Sequence, residues 1–140
     1  MSNQTTQTAV QLILKFSKAF DAKLEQESKI PLSQVQFIAL EHIHNSGSIP
    51  MKALAEYLSI TPASTSAMVK KLEAMGYITR TPDEHDGRVS RLSLSQQGVE
   101  IYEACYIEGG QIFEFFLNRL ADDEKEQLVN ILQKMLDAEK

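Results

Sequence analysis

A chain of 140 residues with 43% hydrophobic and 24% charged residues has the size and composition of one globular domain. The single cysteine, Cys105, excludes an internal disulfide and a multi-cysteine metal site. The polar start of the sequence is unlike a signal peptide, and no apolar run approaches the roughly 18 residues of a membrane span, so we expect a cytoplasmic protein.

The net charge of −5 argues only weakly against a nucleic-acid partner, because positive charge is relatively concentrated in the middle of the chain. Residues 61–91 hold five of the 14 Lys and Arg residues and four of the 19 Asp and Glu residues. Phosphate binding depends on the local field rather than on the sum of charges. The middle of the chain therefore stays a candidate for contact with DNA.

The first part of the sequence predicts three helices. Apolar residues recur at spacings of three and four over residues 8–26, which is typical of an amphipathic helix, and Pro31 cannot continue it. Ser33 and Gln36 form a capping-box pattern that opens a second helix. The segment IPMKALAEYLSI, residues 49–60, then predicts a third and shorter helix.

A fourth helix has two unlike faces. Thr61 is placed to cap its start, Pro62 suits its first position, and Gly76 is placed to end it in a left-handed conformation. One face is predicted to be buried and consists of Thr65, Met68, Val69, Leu72 and Met75. The other face is small and hydroxylated near its start and then basic, which favours close approach to another surface.

The remaining sequence predicts two strands and two helices. The segments YITRTP (77–82) and RVSRLSLS (88–95) are strand-like, and Asp86-Gly87 between them predicts a two-residue hairpin turn. A long helix follows from Ser95, and a last one has acidic residues in its first turn. The fold class is therefore mainly α with a small β-hairpin, in the order of a winged helix-turn-helix.

The segments LAEYLSITPASTSAMVKKLEAMGYITR (54–80) and DGRVSRLSLSQQG (86–98) resemble the MarR family of bacterial transcriptional regulators. The resemblance implies one domain over residues 1–140. In it, 8–30 and 95–140 would be dimerisation helices and 31–94 the DNA-binding lobe. It also implies a homodimer that binds double-stranded DNA at a pseudo-palindromic site, usually as a repressor relieved by a small ligand.

The residues expected to contact DNA lie on the fourth helix and in the wing. Small residues and Lys70 of the helix are expected to read bases in the major groove. Arg88 is expected in the minor groove with Asp86 as its support, and Arg80 and Arg91 are expected on phosphates. The full set is Thr61, Pro62, Ala63, Ser64, Ser66, Ala67, Lys70, Lys71, Arg80, Asp86, Arg88 and Arg91.

Two other classes of function stay open at this point. A winged helix that binds another protein fits the acidic net charge and Ala67 on the exposed helix face. A metal-dependent hydrolase would use Asp83, Glu84, His85 and Asp86. Adjacent side chains on a tight loop cannot all point at one ion, however, and the sequence offers no nucleophile to accompany them. We predict no enzyme activity, no cofactor and no bound metal.

An effector pocket, as in the family, would lie near the first, second and long fifth helices. Its candidate residues are aromatic or imidazole side chains, which could equally be core residues: Phe16, Phe20, Phe37, His42, Tyr57 and Tyr102. Cys105 stands among apolar residues and is expected to be a small buried side chain rather than a redox sensor.

Overall fold

The computed structural model describes residues 3–137, which form six helices and three strands. None of these helices combines the length and apolarity that a membrane crossing requires. The elements are α1 (Asn3–Glu27), α2 (Gln34–Ser46), β1 (Ile49–Pro50), α3 (Met51–Leu58), α4 (Pro62–Ala74), β2 (Ile78–Pro82), β3 (Ser90–Leu94), α5 (Gln96–Leu117) and α6 (Asp122–Asp137). The predicted fold class, mainly α with a small β element, is confirmed.

The helix boundaries follow the local signals in the sequence. The Ser33 side chain accepts a hydrogen bond from the Gln36 amide, and the Gln36 side chain accepts one from the Ser33 amide, which completes the predicted capping box. Gly76 has a φ of 86°, the left-handed conformation that was expected after α4. The acidic residues Asp122, Asp123 and Glu124 occupy the first turn of α6.

The sheet has a third strand that the sequence analysis missed. Ile49 and Pro50 were predicted to start a helix, but they form β1 and pair with Leu92 and Arg91 of β3. The antiparallel order is β1-β3-β2, so β1 is an edge strand, where a proline without an N–H can be accommodated. The helical pattern begins only after Pro50, which fixes the start of α3 at Met51.

The predicted two-residue turn at Asp86-Gly87 is wrong. The ladder between β2 and β3 ends at the pair Pro82 and Ser90, and residues 83–89 form a longer loop. Gly87 does not adopt a positive φ, which a type I′ turn at Asp86-Gly87 would require. The loop is closed instead by backbone hydrogen bonds from Asp83 N to Val89 O (2.8 Å) and from Val89 N to Asp86 O (2.9 Å).

The described residues form two compact units, and the first comprises residues 30–107. Its core joins side chains from α2, α3, α4 and all three strands, because each of these elements turns one apolar face inward. Leu40, Ile43, Leu54, Leu72 and Leu92 are fully buried there. The cluster is completed by Ala39, Ile49, Val69 and Ile78.

The second unit comprises residues 3–29 and 108–137 and is helical. Phe16 and Phe20 of α1 pack against Phe113 and Phe116 of α5, with ring centroids 4.6–6.3 Å apart. The Glu108 carboxylate accepts hydrogen bonds from the Ser28 hydroxyl (2.5 Å) and the Lys29 amide (3.0 Å). Polar groups just after the end of α1 are thereby satisfied by α5.

Gly98 sits where the start of α5 lies against the chain that leaves α4. The Ser95 amide donates to Tyr77 O (3.0 Å), and the Ser95 hydroxyl donates to Gly76 O (2.5 Å) and accepts from Gly98 N (2.9 Å). These contacts bring Gly98 so close that a Cβ would lie 2.0 Å from Tyr77 O. A side chain at position 98 therefore cannot be accommodated without moving backbone.

Replacing this glycine is expected to destabilise the fold. Gly98→Ala should lower the free energy of unfolding by about 3 kcal/mol, because the obstructing atoms belong to the backbone and cannot rotate away. Urea unfolding followed by circular dichroism measures the change. Gly110→Ala is the control, since nothing lies within 4 Å of a Cβ there and alanine favours the helix by about 0.5–1 kcal/mol. Equal stability of the two variants would contradict the expected close contact.

Candidate nucleic-acid interface

The turn between α3 and α4 is short and tightly capped. Ser59 ends α3 in the left-handed conformation, with a φ of 56°, and its amide donates to Glu56 O (3.2 Å). Thr61 then caps α4, its side chain accepting from Ser64 N (3.1 Å), and Pro62 takes the first helical position. Two helices joined in this way make a helix-turn-helix, whose second helix is α4.

The inner face of α4 is anchored in the core. Thr65, Val69 and Leu72 are fully buried, and Met68 and Met75 are half-buried against the same cluster. The Thr65 hydroxyl donates to Thr61 O (2.9 Å), so the one buried polar side chain of the helix is satisfied. The predicted buried face of the fourth helix is confirmed.

The outer face of α4 is open to solvent over its first three turns. Its side chains are small at the start of the helix and basic further along, and residues 62–71 contain no Asp or Glu. Exposed positions are Thr61, Pro62, Ala63, Ser64, Ala67, Lys70 and Lys71, and Ser66 is half-buried. A surface of this kind brings the helix backbone close to a partner and places cations beside it.

Two hydroxyl groups at the start of α4 are held in place. The Thr61 hydroxyl donates to Ser64 Oγ (2.9 Å) while accepting from the Ser64 amide. Ser64 keeps its own hydroxyl proton for an outside acceptor, since a hydroxyl donates one hydrogen bond and accepts others. The exposed first turn thus offers a fixed donor to a phosphate oxygen or a base edge.

Asp83 organises the wing, the loop of residues 83–89. Its Oδ1 accepts from the amides of His85 (2.8 Å) and Asp86 (3.2 Å), and its Oδ2 accepts from Arg91 Nη1 (3.2 Å). The hydrogen bond from the His85 amide lowers the pKa of Asp83 most, and Arg91 and the Asp86 amide lower it further. Asp83 is therefore a structural acceptor of the loop.

Asp86 holds the arginine at the tip of the wing. Its Oδ1 accepts from both the amide and Nε of Arg88, each at 3.1 Å. The Arg88 side chain hydrogen bond, followed by the Arg88 amide, lowers the pKa of Asp86. The Arg88 side chain is nevertheless 92% exposed, so its guanidinium is oriented by Asp86 and still accessible to a partner.

The other two arginines of the predicted set are bound to the protein itself. Arg80 contacts Glu73 on α4 through Nη2 (2.5 Å) and Nε (3.2 Å), which ties β2 to the helix. Arg91 contacts Ser48 and Asp83, and about 31% of its side chain is exposed. These contacts engage the guanidinium groups that the sequence analysis assigned to phosphates.

No expectation from the sequence concerned Ser48 or Glu73, and Asp83 was expected only as a possible metal ligand, whereas it accepts from the loop amides and Arg91. Asp83 stands two residues before His85, a spacing at which an aspartate commonly accepts from the backbone, so a local signal was present. Ser48 lies 43 residues from Arg91, and no local pattern announces that contact. Among the described residues, no group of three His, Cys, Asp or Glu side chains is arranged to hold a metal ion.

The candidate pocket residues fall into three groups. His42 and Tyr57 stack with centroids 3.6 Å apart, and Phe37 stacks on Tyr102 at 5.6 Å. Burial, and then Glu41 nearby, raises the pKa of Tyr102 above its ordinary value of 10.0. Phe16 and Phe20 belong to the helical unit. Cys105 is half-buried on α5 rather than fully buried.

Comparisons with known proteins identify the family. The MarR family model matches residues 32–90. The transcriptional regulator HosA of Escherichia coli O157:H7 is 30% identical over 105 residues, which are 75% of this chain and 78% of that protein. The HTH-type transcriptional repressor MdtR of Bacillus subtilis is 28% identical over 131 residues, which are 92% of this chain and 84% of that protein. The chain belongs to the MarR family.

A solved structure shows how the fold is used by a relative. The crystal structure of a mutant MarR from E. coli complexed with operator DNA is 26% identical and superposes with a TM-score of 0.75, over 90% of this chain and 91% of that one. Membership in the MarR family confirms the resemblance, the winged-helix fold and the class of function, transcriptional regulation. The relatives are transcriptional regulators and not enzymes, so neither alternative class is favoured.

The ion pair at the wing tip can be tested by titration. Arg88→Ala is expected to raise the pKa of Asp86 toward its ordinary value of 3.8, because the largest cause of the lowered value is removed while the backbone amide stays. Carboxyl carbon NMR signals measure the pKa. Asp83 is the internal control, since its pKa is lowered mainly by the His85 amide.

The sign of the linked stability change follows from the direction of these shifts. A lowered pKa in the folded protein stabilises the fold above the unfolded value, and that stabilisation is lost as the pH falls through the lowered value. The stability difference between wild type and Arg88→Ala should therefore vanish at pH values below the pKa of Asp86. An unchanged Asp86 pKa in the variant would show that Arg88 is solvated and not paired.

Proposed function

We propose that this MarR family protein is a homodimeric, sequence-specific DNA-binding repressor of transcription in the cytoplasm, released from DNA by a small ligand. The observation that carries the proposal is the pairing of an exposed, acid-free α4 face with an exposed but oriented arginine in the wing. Such a pair matches the two grooves that a winged helix contacts. The operator complex of the related MarR supports it.

The face of α4 suits the major groove. Pro62 and Ala63 are exposed at its start and small enough to meet thymine methyl groups, while the Ser64 hydroxyl can donate to a base or a phosphate. Lys70 and Lys71 follow on the exposed side, where they can neutralise phosphates. Ser66 and Ala67 complete the contact surface.

The wing suits the minor groove. Its negative potential attracts arginine most strongly where the groove is narrow. The Arg88 guanidinium donates two hydrogen bonds to Asp86, at 3.1 and 3.4 Å, so less side-chain freedom is lost on binding than for an unattached arginine. Arg80 and Arg91 would contribute less, because Glu73 and Asp83 already pair with them.

A second copy of the chain would cover the apolar side chains of the helical unit. These are exposed in the single chain and lie on α1 and α6: Val10, Leu12, Ile13, Leu14, Val129, Ile131, Leu132, Met135 and Leu136. Exposed apolar surface on this scale typically marks an interaction surface, and a two-fold dimer offers each copy a matching one. Dimerisation would set two recognition helices about 34 Å apart, one turn of DNA.

The effector part of the proposal concerns how DNA release would be driven. A ligand shifts the balance between DNA-competent and DNA-incompetent states only by binding one state better. The stacked pairs Phe37–Tyr102 and His42–Tyr57 supply aromatic surface for such a ligand within residues 30–107. Phe16 and Phe20 supply it in the helical unit.

Binding to DNA is tested with a duplex selected by the protein from a random pool. Fluorescence anisotropy should show an affinity that falls steeply as salt rises, because phosphate contacts release counterions. Arg88→Ala should weaken binding by about 1–3 kcal/mol, since the guanidinium is lost from the minor groove. Arg88→Lys keeps the charge but not the planar fork, and it should recover only part of the loss.

Lys18→Ala serves as the control, because it removes one positive charge from α1 in the helical unit. It should leave the affinity for the selected duplex almost unchanged. Selection of a palindromic site would support the homodimer at the same time. Absence of salt-dependent binding to any duplex would instead favour a winged helix that binds another protein.

A further inference from the structure

We infer that Ser48, Arg91 and Asp83 form a relay that positions Arg88 for the minor groove, and that Arg91 is a positioning residue rather than a phosphate contact. The inference rests on the proposed function. It concerns the link between the wing tip and the body of residues 30–107, which runs through side chains on β3 and before β1.

Arg91 uses all three nitrogens of its guanidinium within the protein. Nε donates to Ser48 Oγ (2.9 Å), Nη2 donates to Ser48 O (2.7 Å), and Nη1 donates to Asp83 Oδ2 (3.2 Å). The planar fork of arginine fits such a divided set of acceptors, which a lysine ammonium would not match. Three of the five N–H donors are thereby engaged within the protein, which leaves one on each of Nη1 and Nη2 for a phosphate.

Asp83 carries the connection from Arg91 into the wing. Its side chain is only 18% exposed, and its two oxygens face in different directions. Oδ2 accepts from Arg91, whereas Oδ1 accepts from the His85 and Asp86 amides. The backbone of Asp86 is therefore held by the same carboxylate that binds the anchored arginine.

Asp86 completes the connection to Arg88. The Asp86 side chain accepts hydrogen bonds from the Arg88 amide and guanidinium. The Asp86 amide in turn donates to Asp83. The relay thus runs from Ser48 at the α2–β1 turn to the exposed guanidinium at the tip. Without it, residues 83–89 would be attached only through their own backbone and the ends of β2 and β3, and ordering the tip would oppose DNA binding.

Asp83→Asn separates positioning from electrostatics, because the two predict opposite signs. Asparagine keeps an oxygen for the two amides but turns an N–H₂ toward Arg91, so the relay is cut at that link. Removing a negative charge beside DNA should by itself strengthen binding. The relay instead predicts that affinity for the selected duplex falls about tenfold, the effect of losing a charged hydrogen bond.

Glu84→Gln is the matched control for charge. It removes one negative charge from the same loop, and the Glu84 side chain is exposed. Its affinity for the duplex should be unchanged or slightly higher. Asp83→Asn binding as tightly as Glu84→Gln would overturn the inference.

Two further variants show whether the loss acts through Arg88. Arg91→Lys should also weaken binding about tenfold, since lysine preserves a phosphate contact but not the fork to Ser48 and Asp83. In an Arg88→Ala background, Asp83→Asn should cause no further loss. An unweakened Arg91→Lys, or a full additional loss in that background, would contradict positioning.

The free protein supplies a readout that does not depend on DNA. The heteronuclear NOE of the amides of residues 85–88 should fall in Asp83→Asn and stay at the wild-type level in Glu84→Gln. If the wild-type protein binds no duplex but this NOE falls in Asp83→Asn, the proposed function is wrong, whereas the relay is supported as a contact that orders the wing. An unchanged NOE in Asp83→Asn would overturn the relay whether or not DNA is bound.

Discussion

The close contact between Gly98 and the backbone at Tyr77 is the constraint that fixes where α5 begins within residues 30–107. It lies where the end of α4, the start of β2 and the first turn of α5 meet, and Ser95 bonds to both Gly76 and Tyr77 there. A side chain at position 98 would push α5 away from this junction. Position 98 therefore requires glycine because there is no room for a Cβ atom. Position 76 favours glycine for a different reason, because its backbone has a φ of 86°.

An acidic protein can present a DNA-binding surface when most of the acids beside that surface are paired. In the wing, Asp83 and Asp86 both accept from arginines and backbone amides, and Glu84 is exposed. Glu73 on α4 forms an ion pair with Arg80. The outer face of residues 62–71 carries Lys70 and Lys71 and no acid, so its local charge is positive although the net charge of the protein is −5.

Most features set by neighbours in sequence were predictable, and the features set by distant pairing were not. The cap at Ser33, the start of α4 at Thr61-Pro62 and its end at Gly76 depend on local backbone rules, and the structure confirms them. The strand β1 exists because β3, about forty residues later in the sequence, offers it a partner. The prediction of a two-residue hairpin turn was wrong for a local reason, because Asp83 and Asp86 each accept from a backbone amide two residues on within a longer loop. Which exposed residues touch DNA stays a prediction.

Arg88 and Arg91 show why residue type alone did not separate an arginine that is available to DNA from one that is bound within the protein. They stand three positions apart, and both were expected to reach DNA. Arg91 lies within β3 opposite Thr81 and Pro50, where Ser48 and Asp83 surround its guanidinium. Arg88 lies before the strand, in the loop, and has a single carboxylate beside it. The ladder ends between them, at Ser90, and that boundary separates an arginine held by the body of the protein from one presented at its surface.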